Sequence, residues 1–158
     1  MRQIVKILLV AVTIGLTGVV IAWAATEPRT MSDEVFEILS KGYKNLPQSK
    51  FDAAQVEYEK VIKIDFDNPY ANNNLAVIME KQGKLTDAMT YLNIGEKFAA
   101  QYLYKVDTAY LFGDVCAAVN PEKATGEKSQ IAQVIAENKK KLAEKMGAAP
   151  LGMPTKSE

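Results

Sequence analysis

The hydrophobic positions change their period along the chain, and each change marks a different element. Ile7 to Thr26 is an uncharged run of 20 residues behind Arg2 and Lys6. Ala22-Trp23-Ala24 lies near its end with the small-x-small pattern of a signal-peptidase site, so residues 1–24 read as a signal peptide removed before Ala25. The same run is long enough to cross a bilayer of about 30 Å, which makes an uncleaved anchor over residues 7–26 the alternative. Both readings place the rest of the chain outside the cytoplasm, in a periplasm or equivalent lumen. Only a retained segment would bring it to a membrane.

Beyond this run the spacing becomes helical. Asn68-Pro69 is a helix start, with Asn68 as cap and Pro69 at the first position, where a missing N–H costs nothing. The pattern predicts a helix over 70–81, with Leu75, Ala76, Ile78 and Met79 on its packing face. Gln82-Gly83-Lys84 turns the chain, and a second helix follows over about 85–98 with Leu85, Ala88, Leu92 and Gly95 on one side. Offsetting the sequence by 34 residues aligns Phe51 with Leu85, Ala54 with Ala88 and Tyr58 with Leu92. Gly42 falls on Ala76 and Tyr70 on Tyr104. Small residues at 42, 54, 76 and 88 would let helices approach, while large ones at 51, 58, 85 and 92 fill the space beside them.

The run over 71–97 resembles a tetratricopeptide repeat. Leu75-Ala76 match its large-small pair, Gly83 its turn glycine, Ala88 its small residue in the second helix and Leu92 the large residue four later. Phe51, Ala54, Tyr58 and Val61 match the second half of the preceding unit, whose first half has Lys41 where a large apolar residue is usual. The resemblance implies an all-α domain over 25–146, a short right-handed α-solenoid of antiparallel helix-turn-helix repeats. Its units would cover about 34–68, 69–101 and 102–146. In the third, Tyr102 to Val119 is expected to be helical, and Asn120-Pro121-Glu122 to start a new element. A divergent capping helix over 127–146 carries Ile131, Val134, Ile135, Leu142 and Met146 on one stripe, and 147–158 reads as a flexible tail.

Composition narrows the chemistry. The 158 residues contain 19 basic and 19 acidic side chains, one Cys and no His. Histidine-based nucleophile activation, acid–base catalysis and metal ligation are therefore absent. Zero net charge gives no reason to expect nucleic acid as a partner. Asp65-Phe66-Asp67-Asn68 opens like a calcium loop, but Pro69 takes the third ligand position and no bidentate Glu follows. No phosphate-binding glycine loop is present. Cys116 sits among apolar neighbours and is expected to be a buried, inert thiol. The expectation is a protein without catalytic residues, cofactor or metal, and a carboxylate- or Lys-based enzyme is a remote alternative.

The resemblance also implies a concave groove lined by the first helix of each unit. By register this gives Phe36, Leu39 and Tyr43, then Tyr70, Asn73, Asn74 and Val77, and finally Tyr104, Asp107, Thr108 and Leu111. A partner protein or extended peptide would lie there, its backbone bonded by Asn side chains and its apolar groups against Tyr rings. The alternative is that these residues pack internally or against another copy of the chain. The function expected is a scaffold or adaptor that assembles or stabilises an exported complex, with self-association possible. A membrane-anchored adaptor is the runner-up.

Overall fold

The computed structural model describes residues 27–111 and 115–148, without the side chains of 108–111 and 148. The expected signal peptide or anchor, and the tail beyond 148, lie outside the described residues. The element order is α1 (Asp33–Asn45), α2 (Phe51–Ile64), α3 (Pro69–Lys81), α4 (Leu85–Ala99), β1 (Tyr104–Leu111), β2 (Ala117–Thr125) and α5 (Gln130–Ala148).

Local signals account for the first four helices. The Ser32 side chain caps α1 by accepting the Val35 N–H at 3.3 Å. Asn68 caps α3, its Oδ1 accepting the Tyr70 and Ala71 N–H groups at 3.1 Å each, with Pro69 beside it. Gly83 ends α3 at a φ of 76°, the left-handed conformation that favours glycine, while the Lys84 N–H reaches back to the Met79 carbonyl at 2.9 Å. That short turn folds α4 back onto α3, and α2 packs on both α1 and α3. At the α1–α2 crossing the Tyr58 ring, fully buried, lies over Gly42 so closely that a Cβ there would stand 2.7 Å from it. This is the close approach the small-residue pattern predicts.

α3 is the hub of the molecule. From Pro69 to Glu80 every residue is buried, including Asn72, Asn73, Asn74 and Glu80. A helix apolar on one face has solvent on the other, so burial all round requires packing on every side. α2 and α4 cover part of α3, and β2 and α5 cover the rest.

The stretch expected as a third helix is the main departure. Residues 104–111 and 117–125 form an antiparallel pair in which Ala109 opposes Val119 and Tyr110 opposes Ala118. Tyr104, Asp107, Thr108 and Leu111 are therefore strand residues, and the third unit is not a pair of helices. Tyr104 is buried, Lys105 exposed, Val106 half-buried and Asp107 exposed, the two-residue alternation of a half-buried strand. Asn120-Pro121-Glu122 lies inside β2 instead of starting a helix. Pro121 is tolerated because it stands opposite Val106 between two shifts of register, where the regular ladder is broken. α5 starts at Gln130, three residues later than the pattern suggests, and carries Gly147 and Ala148, which were expected in the tail. The described fold is thus mostly helical with one small sheet.

Candidate functional site

Most of the residues expected to line a concave groove are covered by the chain itself. Strand β2 and the residues leading into it lie against α3 and α5, held by side chains that bond main-chain groups. Asn74 Nδ2 donates to the Val119 carbonyl at 2.7 Å, and its Oδ1 accepts the Val119 N–H at 2.9 Å. Asn138 on α5 does the same for Ala117: Oδ1 accepts its N–H at 2.8 Å and Nδ2 donates to its carbonyl at 2.9 Å. Asn73 adds a second donor to the Ala117 carbonyl at 2.9 Å and accepts from Asn138 Nδ2 at 2.8 Å. Each amide thus replaces the neighbouring strand that a sheet edge would otherwise need.

Glu80 extends this row. Its Oε1 accepts the Val115 N–H at 3.1 Å and its Oε2 the Cys116 N–H at 2.9 Å, while Lys145 donates to Oε1 at 2.9 Å. The carboxylate is completely covered, whereas the Lys145 side chain is partly exposed. Burial alone would raise the Glu80 pKa, but the Lys145 ammonium and the Cys116 N–H outweigh it and hold the carboxyl below its ordinary value. The Cys116 thiol is buried, and burial together with the Glu80 charge pushes it up to about 12. It is an inert thiol.

The groove residues are accordingly in the interior. Phe36 meets the Tyr104 ring edge-on at 5.1 Å, and Tyr70 packs against Tyr102 and donates its hydroxyl to the Tyr104 carbonyl at 3.4 Å. Leu39, Tyr43 and Val77 are buried in the same core. Asn73 and Asn74 are spent on β2. Of the eleven residues expected to face a partner, eight are buried and Asp107 is exposed; the side chains of Thr108 and Leu111 lie outside the described set. The expected mode of recognition, Asn side chains on an extended backbone, is present within one chain, so these residues are not a free surface.

Glu80 and Asn138 were missed by the sequence reading. Asn138 had a signal: it sits on the buried stripe of Ile131, Ile135 and Leu142, a polar residue where the helix period demands an apolar one. Glu80 had none, because its partners at 115 and 116 are 35 and 36 residues away.

The two edges of the sheet differ. Side chains seal the β2 edge from 115 to 119. β1 has no further strand beside it among the described residues, and Gln130 Oε1 accepts the Val106 N–H near its start. The Ala117 and Val119 main-chain groups point away from β1, so by the paired register those of Ala109 and Leu111 point away from β2. Asp107 has no partner in the register and lies at the shift between Val106 and Thr108, so the outward phase is established from Ala109 onward.

A separate open cleft of about 760 Å³ lies at the other end of α3, beside the start of the described chain. Pro28 to Ser32 form one wall and Ile64 to Asp67 another, with Tyr102 at its base. Arg29 binds Asp67 at 2.6 Å and stacks on Phe98, 4.1 Å from its centroid. Asp65 accepts from Tyr102 at 2.8 Å and from Asn68 at 3.0 Å. Among the described residues no group of acidic, Cys or His side chains could hold a metal ion, and no helix is long and apolar enough to cross a membrane.

Comparison with family models, with curated proteins and with solved structures gives no match.

Proposed function

We propose that this chain is a non-catalytic adaptor, built on tetratricopeptide-type helix pairs, that holds a protein partner in an exported assembly. In this reading α1–α4 are two stacked repeat units of a short solenoid, and the strand pair with α5 replaces the third unit and caps the stack. Support for the repeats comes from the 34-residue register and from the tight crossing of Gly42 under Tyr58.

The observation that carries the binding role is the asymmetry of the sheet. The groove face is closed by the chain's own strand, while the outer edge of β1 has no strand beside it. A partner's extended segment would pair there and continue the sheet, with main-chain bonds supplying affinity and alternate side chains supplying specificity. Pull-down from native extract tests this with Ala109→Ser and Ala109→Pro, because the register turns the Ala109 main-chain groups away from β2. Main-chain pairing predicts that the serine variant keeps its partner and the proline variant loses it. Equal capture by both overturns the edge-pairing reading.

A second reading, an adaptor anchored by residues 7–26, is favoured by the length of the uncharged run, 20 residues from Ile7 to Thr26. Intact mass of the natively purified protein tests it, because a chain beginning at Ala25 has no anchor.

A further inference from the structure

The cleft beside Pro28 has an unusual rim. Ile64 is 54% exposed and Phe66 65%, and among the described residues no large apolar side chain is more exposed than these two. They stand two residues apart where α2 ends, and neither side chain belongs to the buried core. The acidic groups beside them are already engaged, Asp67 by Arg29 and Asp65 by Tyr102 and Asn68. Engaged carboxylates cost less to bring to a low-dielectric surface than free ones. Lys63, exposed on the preceding position, has a stem long enough to keep its ammonium in water while its neighbours are covered.

The described residues begin at Glu27, next to this cleft. The uncharged run finishes at Thr26, and Pro28 is part of the wall. Two residue steps span at most about 7 Å. A 20-residue helix over Ile7–Thr26 would be about 30 Å long, the thickness of a bilayer's hydrocarbon core. With that run in the membrane, Pro28 is tethered within about 7 Å of the boundary, and the cleft it shares with Ile64 and Phe66 faces the interface, into which apolar groups penetrate about 5–10 Å.

We infer that the Ile64–Phe66 rim is a membrane-docking face: both side chains enter the lipid interface and fix the orientation of the domain. The inference rests on the anchored reading above. Its occupant is the bilayer's apolar–headgroup boundary, reached through apolar contact, not through an anionic headgroup. Docking there points the far end of α3, with the Gly83 turn, away from the lipid. The orientation is set by two side chains in addition to the tether.

The test uses the full chain, with its N-terminal segment intact, in phosphatidylcholine vesicles containing a doxyl-lipid quencher. Lys63→Cys and Lys84→Cys each receive an environment-sensitive fluorophore; Cys116 is buried, so the wild type serves as the labelling blank. Quenching at position 63 is expected to be about threefold that at 84, since only the former reaches the interface. Adding Ile64→Ser and Phe66→Ser to the Lys63→Cys chain should bring it down to the level at 84. Quenching at 63 no greater than at 84, or unaffected by the two serines, overturns the docking face while leaving the anchor in place. Quenching that appears only with phosphatidylglycerol also overturns it. A purified mass beginning at Ala25 removes the anchored reading itself, and the docking face with it.

Discussion

The two edges of one small sheet are treated in opposite ways. Along β2, Asn73, Asn74, Asn138 and Glu80 meet the main-chain groups of residues 115, 116, 117 and 119. Along β1, no strand follows among the described residues and Asp107 stands exposed. An open strand edge invites pairing, and proteins usually blunt or cover it. Here the edge facing the helices is sealed with amides and a carboxylate, which suit an extended backbone of almost any sequence. The helical part of the molecule thus already binds a strand, and it is the chain's own.

The difference can be broken from the sealed side first. Asn74→Leu leaves the buried Val119 N–H and carbonyl without partners, and at about 1–3 kcal/mol for each orphaned group it should cost about 3 kcal/mol in urea unfolding. Glu80→Gln keeps the shape but replaces the charge that Val115, Cys116 and Lys145 share; a loss of about 2 kcal/mol is expected. The pH dependence gives the sign independently. The Glu80 pKa lies below its ordinary 4.5 in the folded chain, so its contribution is complete above that value and disappears as the pH falls through the folded value. Glu57, held down by Lys41 and Lys60, acts in the same direction. Unfolding measured from pH 6 down to 3 should therefore show a shallower loss of stability in Glu80→Gln than in wild type, not a flat profile. On the open side, Ala109→Pro removes an N–H that points away from β2, and its effect on stability should stay within about 0.5 kcal/mol. If the proline variant were as unstable as Asn74→Leu, the two edges would not differ as described.

Legibility in the sequence followed the range of the forces. α3 could be placed to within a residue because Asn68, Pro69 and Gly83 act on their immediate neighbours. The tight crossing at Gly42 was visible because a small residue and a large one recur at a fixed interval. Residues 102–119 were misassigned because an apolar stretch of that length fits a buried helix or a pair of strands, and the repeat period favoured the helix. The alternation from Tyr104 to Asp107, with Val106 and Thr108 both β-branched, was the contrary signal. The Asn residues of α3 were expected to bond a partner's extended backbone and bond the chain's own instead, because nothing local says whose backbone will arrive. Asn73 meets Ala117 across 44 residues and Asn138 across 65. Such pairings are decided by the collapsed chain as a whole.

The position of Asn138 also sets an order of events as the chain is made. α1 to α4 leave the ribosome, or a translocation pore, before the strands and well before α5. Until then, α3 carries Asn73, Asn74 and Glu80 on a side with nothing to bond except water. The last piece to arrive, α5, brings both Asn138 and Lys145 to that side. Closure is therefore a late, long-range step, and a chain interrupted before residue 138 would lack the Asn138 and Lys145 contacts to Asn73 and Glu80 even where its strands had formed.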